Sequence, residues 1–506
     1  MLYFRIRGRC YMSQQRMSGI VLHITALPGR YGIGTMGAQA RSWVDFLHDS
    51  GQRVWQILPL SPTGYADSPY QSCSAWAGNP YLIDLDTLIE DGLLTREEAD
   101  ACDFGGDLDY VDYGLIYKER LPLLRKAYER GKGDPAVESF AKEHKSWLKD
   151  YALYMALKES YGMIGLNTWP DKAVITREAT ALKKAEASLA EEARFHTYVQ
   201  YLFYKQWEAL KAYAAERDVL IMGDLPIYVA EDSADVWAQP GLFQLKGPAR
   251  PSRVAGVPPD LYSETGQLWG NPLYDWEHHE ETGYKWWLAR LKHANAFYDI
   301  IRIDHFRGFH TYWSVAAKAK TAMIGRWIKG PGLPFVEKIK AALPPGSLVA
   351  EDLGDLGGTV VQFFADTELP GMKVLVYAFD PDNDSSYMPH NAPKNSVCYT
   401  STHDSPTFID WLTVESSERE RELARAYLRL REEEGWNWGA VKVAWGSPAN
   451  LAMAPFQDIL GLGKDARVNI PATIGNYNWR WRVREEAINE EVAKKLLEAT
   501  KVYKRA

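Results

Sequence analysis

Residues 298–308 read Y-D-I-I-R-I-D-H-F-R-G, an apolar β-branched run that ends in charged residues. On a strand, Ile301 and Ile303 point to one side, and Arg302 and Asp304 point to the other. Short buried strands that end in polar groups are typical of a parallel (β/α)8 barrel, which places functional groups at the carboxyl ends of its strands. Taken alone, the stretch is equally compatible with a functional carboxylate and with a structural ion pair.

The same strand pattern recurs along the chain. Apolar runs bounded by Pro, Gly, Asp or His predict eight strands, at 19–24, 54–58, 219–222, 300–303, 348–350, 372–377, 397–400 and 451–454. Helical periodicity lies between several of them, as at 38–50, 286–296 and 335–342. This alternation predicts an α/β fold, a (β/α)8 TIM barrel that spans residues 19–506 and is preceded by a leader, residues 1–18, that can be disordered.

Two long stretches interrupt the alternation. Residues 84–217 have a mostly helical pattern, with Phe203, Trp207, Leu210 and Ala214 along one helix face and an Ala/Glu/Lys-rich, exposed helix expected at 181–192. We interpret this stretch as an inserted helical subdomain. Residues 228–284 are rich in Pro, Gly and Trp and predict an inserted, loop-rich subdomain beside the active site.

The composition argues against several classes of protein. A net charge of -8 over 506 residues disfavours non-specific binding to nucleic acid or anionic lipid. No run approaches the about 20 apolar residues that cross a bilayer, and the first 15 residues lack the features of a secretory signal. The four cysteines lie far apart without metal-ligand spacing, so we expect a cytoplasmic protein with reduced thiols. The 19 Trp and 29 Tyr favour sugar binding modestly, because aromatic rings stack on sugar rings.

Two further predicted strands end in carboxylates. Glu351 ends S-L-V-A-E, and His403 and Asp404 follow the strand at 397–400. Taken alone, the Glu351 segment is as compatible with a solvated turn as with function, whereas the His403–Asp404 segment somewhat favours a hydrogen-bonded loop pair over function. A barrel would bring both carboxylates to the same mouth as Asp304, and a retaining glycosidase needs two carboxyls about 5–5.5 Å apart. Asp304, which Arg302 would keep ionised, suits the nucleophile.

The other two carboxylates suit the remaining roles. Glu351, at an apolar strand end that can raise a carboxyl pKa, suits the general acid. Asp404 would bind sugar hydroxyls and stabilise the oxocarbenium-like transition state.

The chain resembles the 4-α-glucanotransferases, or amylomaltases, of glycoside hydrolase family 77 in the α-amylase superfamily. The resemblance is carried by R-I-D-H-F-R-G, A-E-D-L-G and T-H-D, and by ordered segments that include W-Q-I-L-P-L-S-P-T-G from Trp55, D-S-P-Y-Q-S from Asp67, G-D-L-P-I-Y-V from Gly223 and T-G-Q-L-W-G-N-P from Thr265. It implies that Asp304 is the nucleophile, Glu351 the acid/base and Asp404 the transition-state stabiliser. It further implies substrate contacts from Tyr70, Asp224, Trp269, Asn271, Arg302, His305 and His403.

The resemblance implies transfer of α-1,4-glucan segments from a maltodextrin to the 4-hydroxyl of an acceptor glucan or glucose. No metal or cofactor is needed for this chemistry, and a structural calcium and the oligomeric state are left open. Transfer requires that a bound acceptor outcompete water, and Tyr262, Trp269 and the loop 246–266 are the candidate acceptor surface. The alternatives are an α-amylase-like hydrolase and, less favoured, a non-catalytic glucan-binding protein. Departures from the family pattern at Leu261, Ser405, Pro406 and Ala472 leave acceptor preference open.

Overall fold

The computed structural model describes residues 15–260, 263–354, 356–475 and 477–506. The strands in these ranges are β1 (Met17–Val21), β2 (Val54–Gln56), β3 (Leu220–Leu225), β4 (Arg253–Val257), β5 (Gln267–Pro272), β6 (Ile300–Ile303), β7 (Thr311–Ala316), β8 (Gly325–Lys329), β9 (Leu348–Ala350), β10 (Gly371–Val374), β11 (Ser396–Tyr399) and β12 (Leu451–Pro455).

Among the described residues, eight of these strands form one parallel sheet in the order β10-β11-β12-β1-β2-β3-β6-β9. The Ala350 N–H at the end of β9 donates a 2.9 Å hydrogen bond to the Pro370 carbonyl just before β10, which brings the two ends of the sheet together. The predicted (β/α)8 barrel is confirmed, with a strand at each of the eight expected places. The observed β3 continues to Leu225, three residues beyond the prediction, and β10 ends at Val374, three residues before it.

Helices pack around this barrel. Those that accompany the barrel strands are Ala38–Asp49, Lys285–Phe297, Gly332–Ala342, Gly358–Thr367, Phe408–Asp410, Glu418–Leu428, Trp436–Gly446, Phe456–Leu460 and Glu490–Val502. The helices predicted at 38–50, 286–296 and 335–342 are therefore confirmed to within three residues at each end. Across the described ranges, none of the helices combines the length and the apolar character needed to cross a membrane.

The connection from β2 to β3 is mostly helical. Its helices are Leu85–Glu90, Arg96–Asp100, Tyr113–Gly131, Pro135–Glu143, Leu148–Ser160, Lys172–Ile175, Ala179–Ser188 and Ala190–Glu216. The long last helix buries the predicted face of Phe203, Trp207, Leu210 and Ala214. Leu189 separates the last two helices, so the single helix predicted over 181–192 is interrupted. The treatment of 84–217 as a separate subdomain stays a prediction.

A small antiparallel sheet follows β3 and was not predicted. Its strand order is β5-β4-β7-β8, and β4 and β5 lie inside the stretch 228–284, where only loops were expected. Glycines at 256 and 270 and a proline at 272 obscure the alternation of these strands. Helices Ala234–Ala238 and Trp276–Glu281 lie in the same stretch.

Candidate active site

Backbone pairing continues beyond the ends of two barrel strands and fixes two carboxylate residues. The Asp304 N–H, just after β6, donates a 3.0 Å hydrogen bond to the Leu225 carbonyl of β3. The Glu351 N–H, just after β9, donates a 3.1 Å hydrogen bond to the Ile303 carbonyl of β6. Because neighbouring strands hold both residues at the carboxyl end of the barrel, their side chains start from the same mouth.

Arg302 joins two carboxylates in the barrel mouth. Its Nη1 donates at 2.6 Å to Oδ2 of Asp224, near the end of β3, and at 3.1 Å to Oδ1 of Asp304. The side chains of Arg302 and Asp224 are buried, whereas that of Asp304 is 26% exposed. Asp304 is therefore the member of this group that a ligand can reach.

Close packing positions Asp224. A side chain on the preceding residue, Gly223, would place its Cβ 2.2 Å from the Tyr298 ring, so the backbone can lie against that ring only with glycine. The Tyr70 hydroxyl donates a 2.8 Å hydrogen bond to the same Oδ2 of Asp224 that Arg302 holds.

The third carboxylate is joined to this network through His403. The His403 Nε2 lies 2.8 Å from the Tyr70 hydroxyl and 3.1 Å from Oδ2 of Asp404. The rings of Tyr70 and His403 stack with their centroids 5.6 Å apart, and Trp479 packs against both. The chain of contacts thus runs without a break from Asp304 to Asp404.

The electrostatics of His403 and Asp404 favour an ion pair. Removal from water alone raises the pKa of Asp404, but the charge of His403 and its hydrogen bond outweigh this and hold the pKa well below the usual range. Burial alone lowers the pKa of His403, and the Asp404 charge reverses that effect and raises it. Asp404 is therefore ionised at neutral pH.

The pKa of Asp304 is shifted in the direction opposite to that of Asp404. Burial raises its pKa to about 7, Arg302 opposes the rise, and the nearby charges of Asp224, Glu351 and Asp404 add to it. The prediction that Arg302 keeps this carboxyl more acidic than usual is therefore wrong. The arginine does lower the pKa, but burial and three neighbouring carboxylates have the larger combined effect.

Glu351 is held by backbone donors on both of its oxygens. The His305 N–H donates to Oε2 and the Leu353 N–H donates to Oε1, each at 2.7 Å. Burial raises the pKa of Glu351, against the opposing effects of Arg302 and these two hydrogen bonds. A raised pKa is what a general acid requires, as the sequence predicted.

One wall of the mouth is aromatic. The half-buried Trp269 on β5 meets the His305 ring edge to face, with centroids 4.7 Å apart. The Gln71 amide donates to the Trp269 carbonyl at 3.2 Å and to the Asn271 side-chain oxygen at 3.1 Å, which ties the second sheet to the barrel mouth.

Comparison with known sequences places this arrangement in a family. The family model for 4-alpha-glucanotransferase matches residues 22–488. The chain belongs to the 4-alpha-glucanotransferase family. The 4-alpha-glucanotransferase of Clostridium butyricum is 46% identical over 487 residues, which cover 96% of this chain and 100% of that protein. The 4-alpha-glucanotransferase of Thermus thermophilus is 44% identical over 492 residues, which cover 95% and 97% of the two chains.

A solved structure of the family shows the same fold. The amylomaltase from Streptococcus agalactiae in complex with acarbose superposes with a TM-score of 0.94 at 39% sequence identity, covering 97% of this chain and 100% of that chain. The chain therefore has the amylomaltase fold along nearly its whole length.

The eight residues predicted for substrate binding do not all lie in the same place. Tyr70, Asp224, Arg302, His305 and His403 are brought together with the three carboxylates, and Trp269 lies beside His305. The other two stand apart. Asn271 is buried with its amide donating at 2.9 Å to the Val229 carbonyl, so it braces the wall. Tyr262 lies outside the described residues.

Two residues near the carboxylates were not predicted. Asn469 donates a 2.7 Å hydrogen bond to Oδ1 of Asp404, and Trp479 packs on Tyr70 and His403. Both come from a loop far from Asp404 in sequence, with no strand-end pattern to indicate them. Among the described residues, no cluster of three or more His, Cys, Asp or Glu side chains could hold a metal ion.

Proposed function

We propose that this 4-alpha-glucanotransferase transfers α-1,4-glucan segments from a maltodextrin donor to the 4-hydroxyl of an acceptor glucan or glucose. The observation that carries the proposal is the unbroken contact chain that joins Asp304 to Asp404 through Arg302, Asp224, Tyr70 and His403, beside Glu351. In a family of this activity, that arrangement provides the carboxyl pair of a retaining reaction.

In the first half of the reaction, Glu351 protonates the glycosidic oxygen as the bond from that oxygen to the anomeric carbon breaks. Asp304 attacks the same carbon and forms a β-linked glucosyl-enzyme ester. Arg302 holds Oδ1 of Asp304, which leaves Oδ2 as the attacking oxygen. The donor's reducing-end fragment then leaves as an alcohol with the proton from Glu351.

In the second half, the acceptor 4-hydroxyl attacks the anomeric carbon and displaces Asp304, while Glu351 takes the hydroxyl proton. The second inversion restores the α configuration. The backbone N–H groups of His305 and Leu353 donate to Glu351, and these hydrogen bonds stabilise its ionised form between the two steps.

The ionised Asp404 stabilises the positive charge that develops on the sugar in both transition states. Its negative charge is fixed in place before the substrate arrives, so little reorganisation is needed as the charge develops. The His403 side chain, which contacts Asp404, supplies a donor for a sugar hydroxyl.

Transfer differs from hydrolysis only in what attacks the intermediate. An acceptor sugar held against the wall of Trp269 and His305 has a high effective concentration and displaces water. The alternative, an α-amylase-like hydrolase, would admit water at this step.

A product analysis with maltotriose as the single substrate separates the two functions. Transfer conserves the number of glycosidic bonds, so we expect glucose and a ladder of longer maltodextrins with little net gain in reducing ends. A steady rise in reducing ends, without products longer than maltotriose, would establish hydrolysis instead.

A further inference from the structure

A loop from the C-terminal part of the chain lies against Asp404. We call residues 467–475 and 477–479 the outer strap. The Asn469 amide donates to Oδ1 of Asp404 at 2.7 Å, and Nη2 of Arg467 donates to the Asp404 backbone carbonyl at 3.5 Å. Arg467 is itself fixed by Glu415, with Nη1 and Oε1 2.6 Å apart. The outer strap therefore holds both the side chain and the main chain of Asp404.

Hydrogen bonds within the outer strap hold the residues next to Asn469 in place. The Trp479 N–H donates to the Val468 carbonyl at 2.7 Å, which pairs the two ends of the loop. The buried Asn478 accepts from the Ile470 N–H at 2.9 Å and donates to Thr473. Because the residues on both sides of Asn469 are tied down, its amide is presented to Asp404 from a fixed position.

Each oxygen of the Asp404 carboxylate has its own donor. His403 contacts Oδ2 and Asn469 contacts Oδ1, so the plane of the carboxylate is fixed from two sides. The other charged or titratable groups that face this carboxylate are Arg302 and Asp304 from the end of β6, Tyr70 with Asp224 beyond His403, and the Arg467–Glu415 pair. Asn469 is the neutral donor in this charged surrounding.

We propose that Asn469 is a positioning residue for glucan transfer, whose amide hydrogen bond locks the Asp404 carboxylate in the orientation that stabilises the transition state. The proposal rests on the role of Asp404 in the proposed function. A neutral donor suits the position because an acidic side chain would repel Asp404, and a second cation beside His403 would compete with the developing sugar cation for it.

Three variants test the proposal. Asn469→Ala removes the donor. Asn469→Asp keeps the shape of the side chain, but the new carboxyl can donate a hydrogen bond to Asp404 only when the two carboxyls share a proton. Ile474→Asp is the control, since it places an added negative charge on the outer strap at a side chain that is 69% exposed and does not brace Asn469. For each purified full-length variant, kcat and KM for maltotriose are measured between pH 5 and 8, with circular dichroism as a check of folding.

We expect Asn469→Ala to lower kcat about tenfold to a hundredfold and to change KM less than about threefold, because a hydrogen bond to a charged group is lost at the transition state. The activity of Asn469→Asp relative to wild type should rise as the pH falls, by up to about tenfold per pH unit, since protonation restores the donor. The same ratio for Ile474→Asp should not change with pH.

Two results would overturn the proposal. The first is a kcat of Asn469→Ala within about threefold of wild type. The second is a pH-independent ratio for Asn469→Asp that matches the control, which would assign the outer strap a purely structural role. If Asn469→Asp does not fold, Asn469→Ala still decides the question. A failure of either kind leaves wild-type transfer from maltotriose intact, so it is distinguishable from a failure of the proposed function.

Discussion

The buried charge of Asp224 raises the pKa of the proposed nucleophile, and its removal should therefore shift the pH dependence of the reaction. Asp224 and Asp304 both contact Nη1 of Arg302, at 2.6 and 3.1 Å. Asp304, with a pKa of about 7, must be ionised to attack, so activity is gained as the pH rises through that value. In Asp224→Asn the pKa of Asp304 falls, and the acid limb of kcat/KM should move to lower pH.

The size of the shift follows from the geometry. The two contacts with Nη1 place the nearest oxygens of Asp224 and Asp304 within about 6 Å of each other, where two unit charges interact by about 3 kcal/mol at an effective dielectric constant of 20. In water the value is about 0.7 kcal/mol. These limits correspond to a shift of about 0.5 to 2 pH units.

The assay is the initial rate of glucose release from maltotriose, measured as kcat/KM from pH 4.5 to 8.5. The midpoint of the acid limb is independent of the maximal rate, which should also fall because Asp224 supports Arg302. Tyr70→Phe is the control, since it removes the hydrogen bond to Asp224 but no charge, and its limb should coincide with that of wild type. An Asp224→Asn limb that stays in place or moves to higher pH would refute the electrostatic argument.

Three further predictions test other parts of the structure. Glu351→Gln removes the general acid and should lower turnover of maltodextrin at least about a hundredfold while calorimetry shows near wild-type binding; surviving turnover would contradict the assignment. Arg505→Ala removes a fully buried guanidinium that donates to backbone carbonyls near β1 and β12. Urea denaturation should show that the free energy of unfolding falls by roughly 3–5 kcal/mol. A fall below about 1 kcal/mol would show that Arg505 does not anchor these strands. Gly223→Ala forces its Cβ against Tyr298 and should lower the free energy of unfolding by at least about 1–3 kcal/mol. Gly358→Ala is the control, because its Cβ would enter open space and the free energy of unfolding should hardly change. Equal effects of the two substitutions would contradict the packing argument.

The barrel could be predicted from the sequence because its strands are short, apolar and sharply bounded. The strand at 300–303 is an example, since it contains three isoleucines and is followed at once by Asp304. The end of β3 was missed because Gly223 and Asp224 are poor strand formers, and pairing with β6 overrides that preference. The second sheet was missed because Gly256, Gly270 and Pro272 obscure the alternation of β4 and β5. In addition, β4 pairs with β7 across the barrel strand β6, a contact that no local pattern indicates.

The candidate site could be predicted only in part. Asp304, Glu351 and Asp404 each follow a recognisable strand, so their shared position at the barrel mouth was expected. The pKa of Asp304 was predicted in the wrong direction, because the opposing carboxylates come from other strands and their distances are set by the tertiary fold. Asn469 was missed for the same reason, since a loop 65 residues further along the chain brings its amide to Asp404.

The central claim is that Asp304 forms a covalent bond to the sugar, and trapping that intermediate tests it most directly. Glu351→Gln would be incubated with an α-maltosyl fluoride, whose leaving group needs no acid, so the ester forms while its breakdown lacks a general base. Mass spectrometry of the digested protein should then show a maltosyl adduct on the peptide that contains Asp304, at that residue. An adduct on Asp404, or fluoride release without any adduct, would contradict the account.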